Sequence, residues 1–133
     1  MQRKEKAFRK VTAQESSEME VRHRRMNIKY LTDAKKLLQQ GDYLQASEKY
    51  WSAAVQMIKT IAAKRELELG THRSIADFMS NLDHEYPKLN LWTLYVKANE
   101  LHMNFYEDNM PSDRVKEHSE AVKELIEKLK RIQ

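Results

Sequence analysis

Five histidines are the side chains of this chain whose ordinary titration range lies near neutral pH: His23, His72, His84, His102 and His118. None belongs to a His-Glu-x-x-His pattern, and none has a second ligand type four residues on, so no metal site is expected. The absence of cysteine excludes disulfides and Cys-based zinc. Neither a Gly-rich phosphate loop nor a Gly-x-Ser-x-Gly elbow is present. The carboxylates are scattered among lysines, as on a solvated helix surface. No cofactor is expected. His118 falls within an apolar seam with Val115, Val122, Leu125, Leu129 and Ile132, which is the setting of a hydrogen-bonded core histidine.

His102 is different. It lies in "YVKANELHMNFYEDN", Tyr95 to Asn109, a helical stretch that also holds three aromatic residues. At ~100° per residue, Leu91, Leu94, Ala98, Leu101 and Phe105 line up as a core stripe, and His102 sits about 40° to one side of it. Trp92, Tyr95, Asn99 and Tyr106 fall further round on that side. Lys97, Glu100 and Asn104 are expected on the wet side. Tyr and Trp suit places where an apolar body is buried and a polar tip finds a partner. The flank Trp92, Tyr95, Asn99, His102 and Tyr106 is therefore the expected binding cleft or subunit interface, the alternative being a bundle edge with satisfied polar tips.

The elements that must position these residues are long helices. Gly and Pro number two each, strand-like alternation is absent, and Ala, Leu, Glu, Lys and Gln favour helix. A first helix is expected from about Gln14 to Gln40, capped by Ser16 or Ser17. Gly41 stops it and Asp42 caps a second helix, Tyr43 to Leu69, whose Tyr43, Ala46, Tyr50, Ala53, Met57 and Ile61 make one stripe. Thr71 caps a third, ended by Pro87. A fourth covers Lys88 to Asp108, and Ser112 or Asp113 caps a fifth. Short connections make neighbours antiparallel. The expected fold is all-α: one up-and-down antiparallel bundle of about five helices over residues 13–133, with 1–12 a basic tail or frayed helix.

Charge is concentrated at the start. Residues 1–40 carry a net +6 and the other 93 a net −2. Arg3, Lys4, Lys6, Arg9, Lys10, Arg22, Arg24 and Arg25 are candidate nucleic-acid contacts, or else a solvated tail. No apolar run reaches the roughly 20 residues of a membrane span, and "MQRKEKAFRK" lacks the apolar segment of a signal peptide. A cytoplasmic protein with no membrane partner is expected.

"LLQQGDYLQASEKYWSAAVQM" has the pattern of the turn and second helix of a tetratricopeptide repeat. No second copy follows at the period of about 34 residues, so the motif is read as a tight helical hairpin. Together, "GDYLQASEKYWSAAVQMIK" and the later "LHMNFYED" resemble the archaeal PaREP-type proteins of the HEPN superfamily. The matching positions are Gly41, Asp42, Tyr43, Ala46, Tyr50, Trp51, Ala54 and Lys59, then Leu101, His102, Asn104, Phe105 and Tyr106.

The resemblance implies a helical homodimer. It also implies, for many superfamily members, metal-independent RNase chemistry of toxin–antitoxin or defence type. There an Arg and a His four to six residues apart face a cleft between subunits. In this chain Lys97 stands where that spacing from His102 would place the Arg, and Lys cannot make the planar two-pronged phosphate contact. Arg65 and His72 have the right spacing across the Gly70 turn. The catalytic candidates are thus His102, Lys97, Arg65 and His72. The reading favoured by the sequence is a non-catalytic dimer binding a nucleotide, nucleic acid or protein partner. The alternatives are an endoribonuclease and a helical protein-interaction adaptor.

Overall fold

The structure is a computed structural model and describes residues 8–132. Five α-helices carry it: α1 (Ala13–Gln39), α2 (Tyr43–Lys64), α3 (His72–Glu85), α4 (Leu91–Glu107) and α5 (Ser112–Lys130), with a 3-10 turn at Pro87–Leu89. The all-α bundle expected from composition is present. α2 is its axis, packing against α1, α3, α4 and α5. Its alanines explain how four neighbours fit: Ala46, Ala53, Ala54 and Ala62 are fully buried and let partner helices approach closely. Tyr50, Met57, Ile58 and Ile61 fill the remaining space with Met79, Leu82, Leu91, Leu101, Leu125 and Leu129.

α1 lies antiparallel on α2 and is tied to it by polar side chains as well as apolar ones. Ser16 Oγ donates to the Ala63 carbonyl. His23 Nδ1 lies 2.7 Å from Gln56 Oε1, and Asn27 Nδ2 donates to the Ala53 carbonyl at 2.8 Å. Positions on α2 fall as positions on α1 rise, which fixes the register of the hairpin.

Several boundaries differ from the sequence expectation. α1 is capped by Thr12, not Ser16 or Ser17: Thr12 and Glu15 form a reciprocal capping box, while Ser16 is buried against α2. α2 ends at Lys64 and not at Leu69. Beyond it Glu66 takes a left-handed backbone (φ 61°) and the chain turns into a short strand, β2 (Leu67–Leu69). This strand pairs antiparallel with β1 (Phe8–Lys10), Phe8 opposite Leu69 and Lys10 opposite Leu67. Three-residue strands are too short to show alternation, so the sequence pattern missed them. Phe8–Lys10 is consequently strand where a tail or frayed helix was expected, and Val11 behind it is buried. At the other end Pro111, without a side-chain cap bond, precedes α5 in place of a Ser112 or Asp113 cap.

Candidate functional site

α2, α3 and α4 bring aromatic and imidazole rings together at one place. α2 presents Glu48, Trp51, Val55 and Lys59 at steps of three and four, one face of the helix. α3 starts beside it at His72, after the Gly70–Thr71 turn and a capping box between Thr71 and Ser74. α4 contributes His102 between its buried Leu101 and exposed Met103. The rings of Trp51 and His102 stack at 5.0 Å between centroids and 24° between planes. His72 and His102 stack at 5.7 Å and 24°, and Trp51 and His72 are 5.4 Å apart at 32°. Around them runs an open cleft of about 260 Å³ lined by Trp51, Val55, Lys59, Leu69, Gly70, Thr71, His72, Ile75 and His102.

The three rings differ in freedom. Trp51 is buried and forms the floor. His102 is half-buried, and its Nδ1 lies 2.9 Å from Glu48 Oε1, so the carboxylate orients the imidazole. His72 is exposed. Tyr106 packs edge-on against His102 at 5.4 Å and 89° while remaining 72% exposed. On the other side Tyr95 meets Trp51 at 5.9 Å and Trp92 at 5.3 Å. Burial pushes the Tyr95 phenol up to about 12, so it stays neutral at any working pH.

The expected α4 flank is thus split. His102 lines the cleft, Tyr95 is core, and Trp92 and Tyr106 are exposed at its two ends. Asn99 is half-buried. Asn104, expected on the wet side, is buried instead. Its Nδ2 donates to Ser47 Oγ at 3.1 Å, and its Oδ1 accepts from the backbone N–H of Asn109 and Met110 at 3.0 and 2.8 Å. It thereby closes the turn into α5. Phe105, expected in the core stripe, is half-buried.

Neither candidate catalytic pair lines a common cleft among the described residues. Lys97 does not line the His102 cleft. Arg65 faces a separate depression with Lys10, Val11, Glu66 and Leu67, and Glu85 holds its guanidinium in two bonds of 2.8 and 3.1 Å. The structure pairs His72 with His102 instead. Among the N-terminal cations, Arg3, Lys4 and Lys6 lie outside the described residues. Arg9 pairs with Glu68 at 2.6 Å and Arg24 with Glu20 at 2.8 Å, whereas Lys10, Arg22 and Arg25 are exposed. His118 bridges α5 to α4 through Glu100 at 2.6 Å. Among the described residues no group of three or more His, Cys, Asp or Glu stands close enough to hold a metal ion. No described helix is long and apolar enough to cross a membrane.

A model of the archaeal PaREP1/PaREP8 family matches residues 22–126, which include all three helices of the cleft. The chain belongs to that family. Among solved structures, the crystal structure of a Sulfolobus solfataricus protein is similar, with a TM-score of 0.71 and 24% identity. The match covers 78% of this chain and 92% of that one, and a likeness at this identity concerns the fold. No curated protein matches this member of the family.

Sequence reasoning passed over Glu48 and Trp51 as site residues. Trp51 enters the sequence reading only as a position matching the family motif, and its body is buried on α2. The available signal was the α2 face Glu48–Trp51–Val55–Lys59, which is polar at both ends and therefore unlike the alanine-rich stripe beside it.

Proposed function

We propose that this family member is a non-catalytic, HEPN-like homodimeric binding module whose ring-lined cleft takes one nucleotide unit. The observation that carries the reading is the cluster of Trp51, His72 and His102. Three rings within 5.7 Å of one another, two pairs of them stacked, beside a lysine suit a base, which stacks, and a phosphate, which is met by Lys59 and the imidazoles. The cleft volume, about 260 Å³, lies near the lower end of ligand pockets, at roughly 300 Å³, and suits one such unit. The exposed Trp92 and Tyr106 at either end of α4 are the basis for the homodimer.

The test is a tryptophan-fluorescence titration of the full chain carrying Trp92→Phe, so that Trp51 reports alone. Millimolar mononucleotide, or a short oligonucleotide, quenches it. His72→Ala, at an exposed position, weakens the binding by about 5-fold or more, since a base–aromatic stack is worth about 1–3 kcal/mol. Unchanged fluorescence with both ligands contradicts the reading.

One observation favours a second reading, a metal-independent endoribonuclease. Glu48 on Nδ1 of His102, with His72 alongside, is the arrangement of a carboxylate-oriented general base next to a second acid–base group. RNA cleavage in the presence of chelator, lost in Glu48→Gln and in His102→Ala while both retain the wild-type melting temperature, establishes this reading over the first.

A further inference from the structure

Six large apolar side chains are exposed among the described residues, and four of them stand on α4: Trp92, Val96, Met103 and Tyr106. With the half-buried Asn99 between them they recur at steps of four, three, four and three residues. That spacing is the seam of a coiled coil, and at ~100° per residue it keeps all five on one stripe ~80° wide. Leu94, Ala98 and Leu101 of the same helix are buried in the bundle. α4 therefore has two apolar faces, and the described chain covers only one of them.

Asn99 stands at the middle of the stripe with its amide poorly matched. Its Oδ1 is shielded and meets no donor among the described residues, and its Nδ2 reaches only the Met103 thioether at 3.9 Å, a weak acceptor. Turned toward a second Asn99, each amide both donates and accepts. A parallel seam brings the two together, because there each core residue meets its own copy. An antiparallel seam sets Asn99 against Val96 or Met103 of the partner subunit and leaves the amide unpaired, which is unfavourable. The borders agree with the parallel direction. Tyr95 and His102 lie along one edge of the stripe, and Glu100 and Glu107 along the other. A parallel pair sets one edge against the other, so no like charges are opposed.

On the homodimer reading above, we propose that two copies of the chain join through a parallel α4–α4 seam, with an Asn99 pair at its centre fixing register and direction. Trp92, Val96, Met103 and Tyr106 each pack on the same residue of the second copy. Tyr106 meets His102 edge-on within its own chain, so the seam runs along one edge of the cleft. Its two-fold axis places the two clefts level with each other on opposite sides. The polar pair contributes specificity rather than affinity.

Single-cysteine variants test this, since the chain has no cysteine of its own. After mild oxidation of the full chain, Trp92→Cys, Asn99→Cys and Tyr106→Cys each give a covalent dimer on a non-reducing gel. Lys97→Cys, ~140° round α4 from Trp92, does not. Asn99→Asp, with wild-type helicity by circular dichroism, loses the dimer mass in light scattering, because two carboxylates then oppose each other. Trp92 and Tyr106 are exposed, so their variants decide the matter should Asn99→Asp unfold. A folded Asn99→Asp that retains the dimer mass overturns the proposal. So do Trp92→Cys and Tyr106→Cys that stay unlinked while the wild type has the dimer mass. Both results leave the homodimer reading standing, through another direction or another surface. A wild-type monomer mass at high micromolar concentration overturns both.

Discussion

Single residues on this chain divide by what their polar atoms meet. Asn27, Asn104 and His118 are buried and bonded, and they hold helices in register. His102 has its Nδ1 against Glu48 at the edge of the cleft, and His72 is exposed beside it. His23 lies between these groups, bonded to Gln56 yet partly buried. Burial lowers its pKa, with Arg22 and Lys59 adding to the effect and the Gln56 bond opposing it. A histidine whose folded pKa is depressed binds protons more readily when unfolded. Its contribution to stability is present above the unfolded value, roughly 6.5, and is lost as pH falls through the lower folded value. Melting temperatures measured from pH 7 down to pH 5 should therefore fall less steeply for His23→Gln than for the wild type. The same slope in the variant would show that His23 does not carry this pH dependence.

At the scale of elements, α2 determines the architecture, because four helices share its surface. Ala54 is fully buried in it. Replacing it with Leu forces α2 away from its neighbours and should cost about 1–3 kcal/mol in chemical denaturation. Ala13→Leu, at the exposed start of α1, should change stability by no more than about 0.5 kcal/mol. Helices, their number and most of their ends were legible in the sequence, because apolar spacing and Gly and Pro breaks act locally. The Thr12–Glu15 capping box was also written there, in "TAQE", but Ser16 and Ser17 presented a competing cap. The β1–β2 pair was illegible, since it joins residues some 60 apart in three-residue pieces. The cleft was half legible: His102 stood out on its own helix, whereas its partners Trp51, Glu48 and His72 come from other helices. Asn104 was misplaced because angular position on α4 says nothing of α2 and Ser47 lying across from it.

For the whole molecule, the family match covers residues 22–126, and the Sulfolobus solfataricus structure is similar in fold. The homodimer proposed through the ends of α4 predicts a light-scattering mass of twice the 15.9 kDa chain. Trp92→Glu or Tyr106→Glu should return it to the monomer mass without loss of helicity, because both residues are exposed. A mass unaffected by either variant, or a monomer at high micromolar concentration, rejects that interface. The central claim, that the rings of Trp51, His72 and His102 receive a nucleotide unit, is tested most directly by NMR of the imidazole groups. The spectra are recorded with and without a saturating single-stranded oligonucleotide. The ring resonances of His72 and His102 should shift while those of His84 and His118 stay in place. Shifts confined to His84 or His118, or no shift at any histidine, would contradict it.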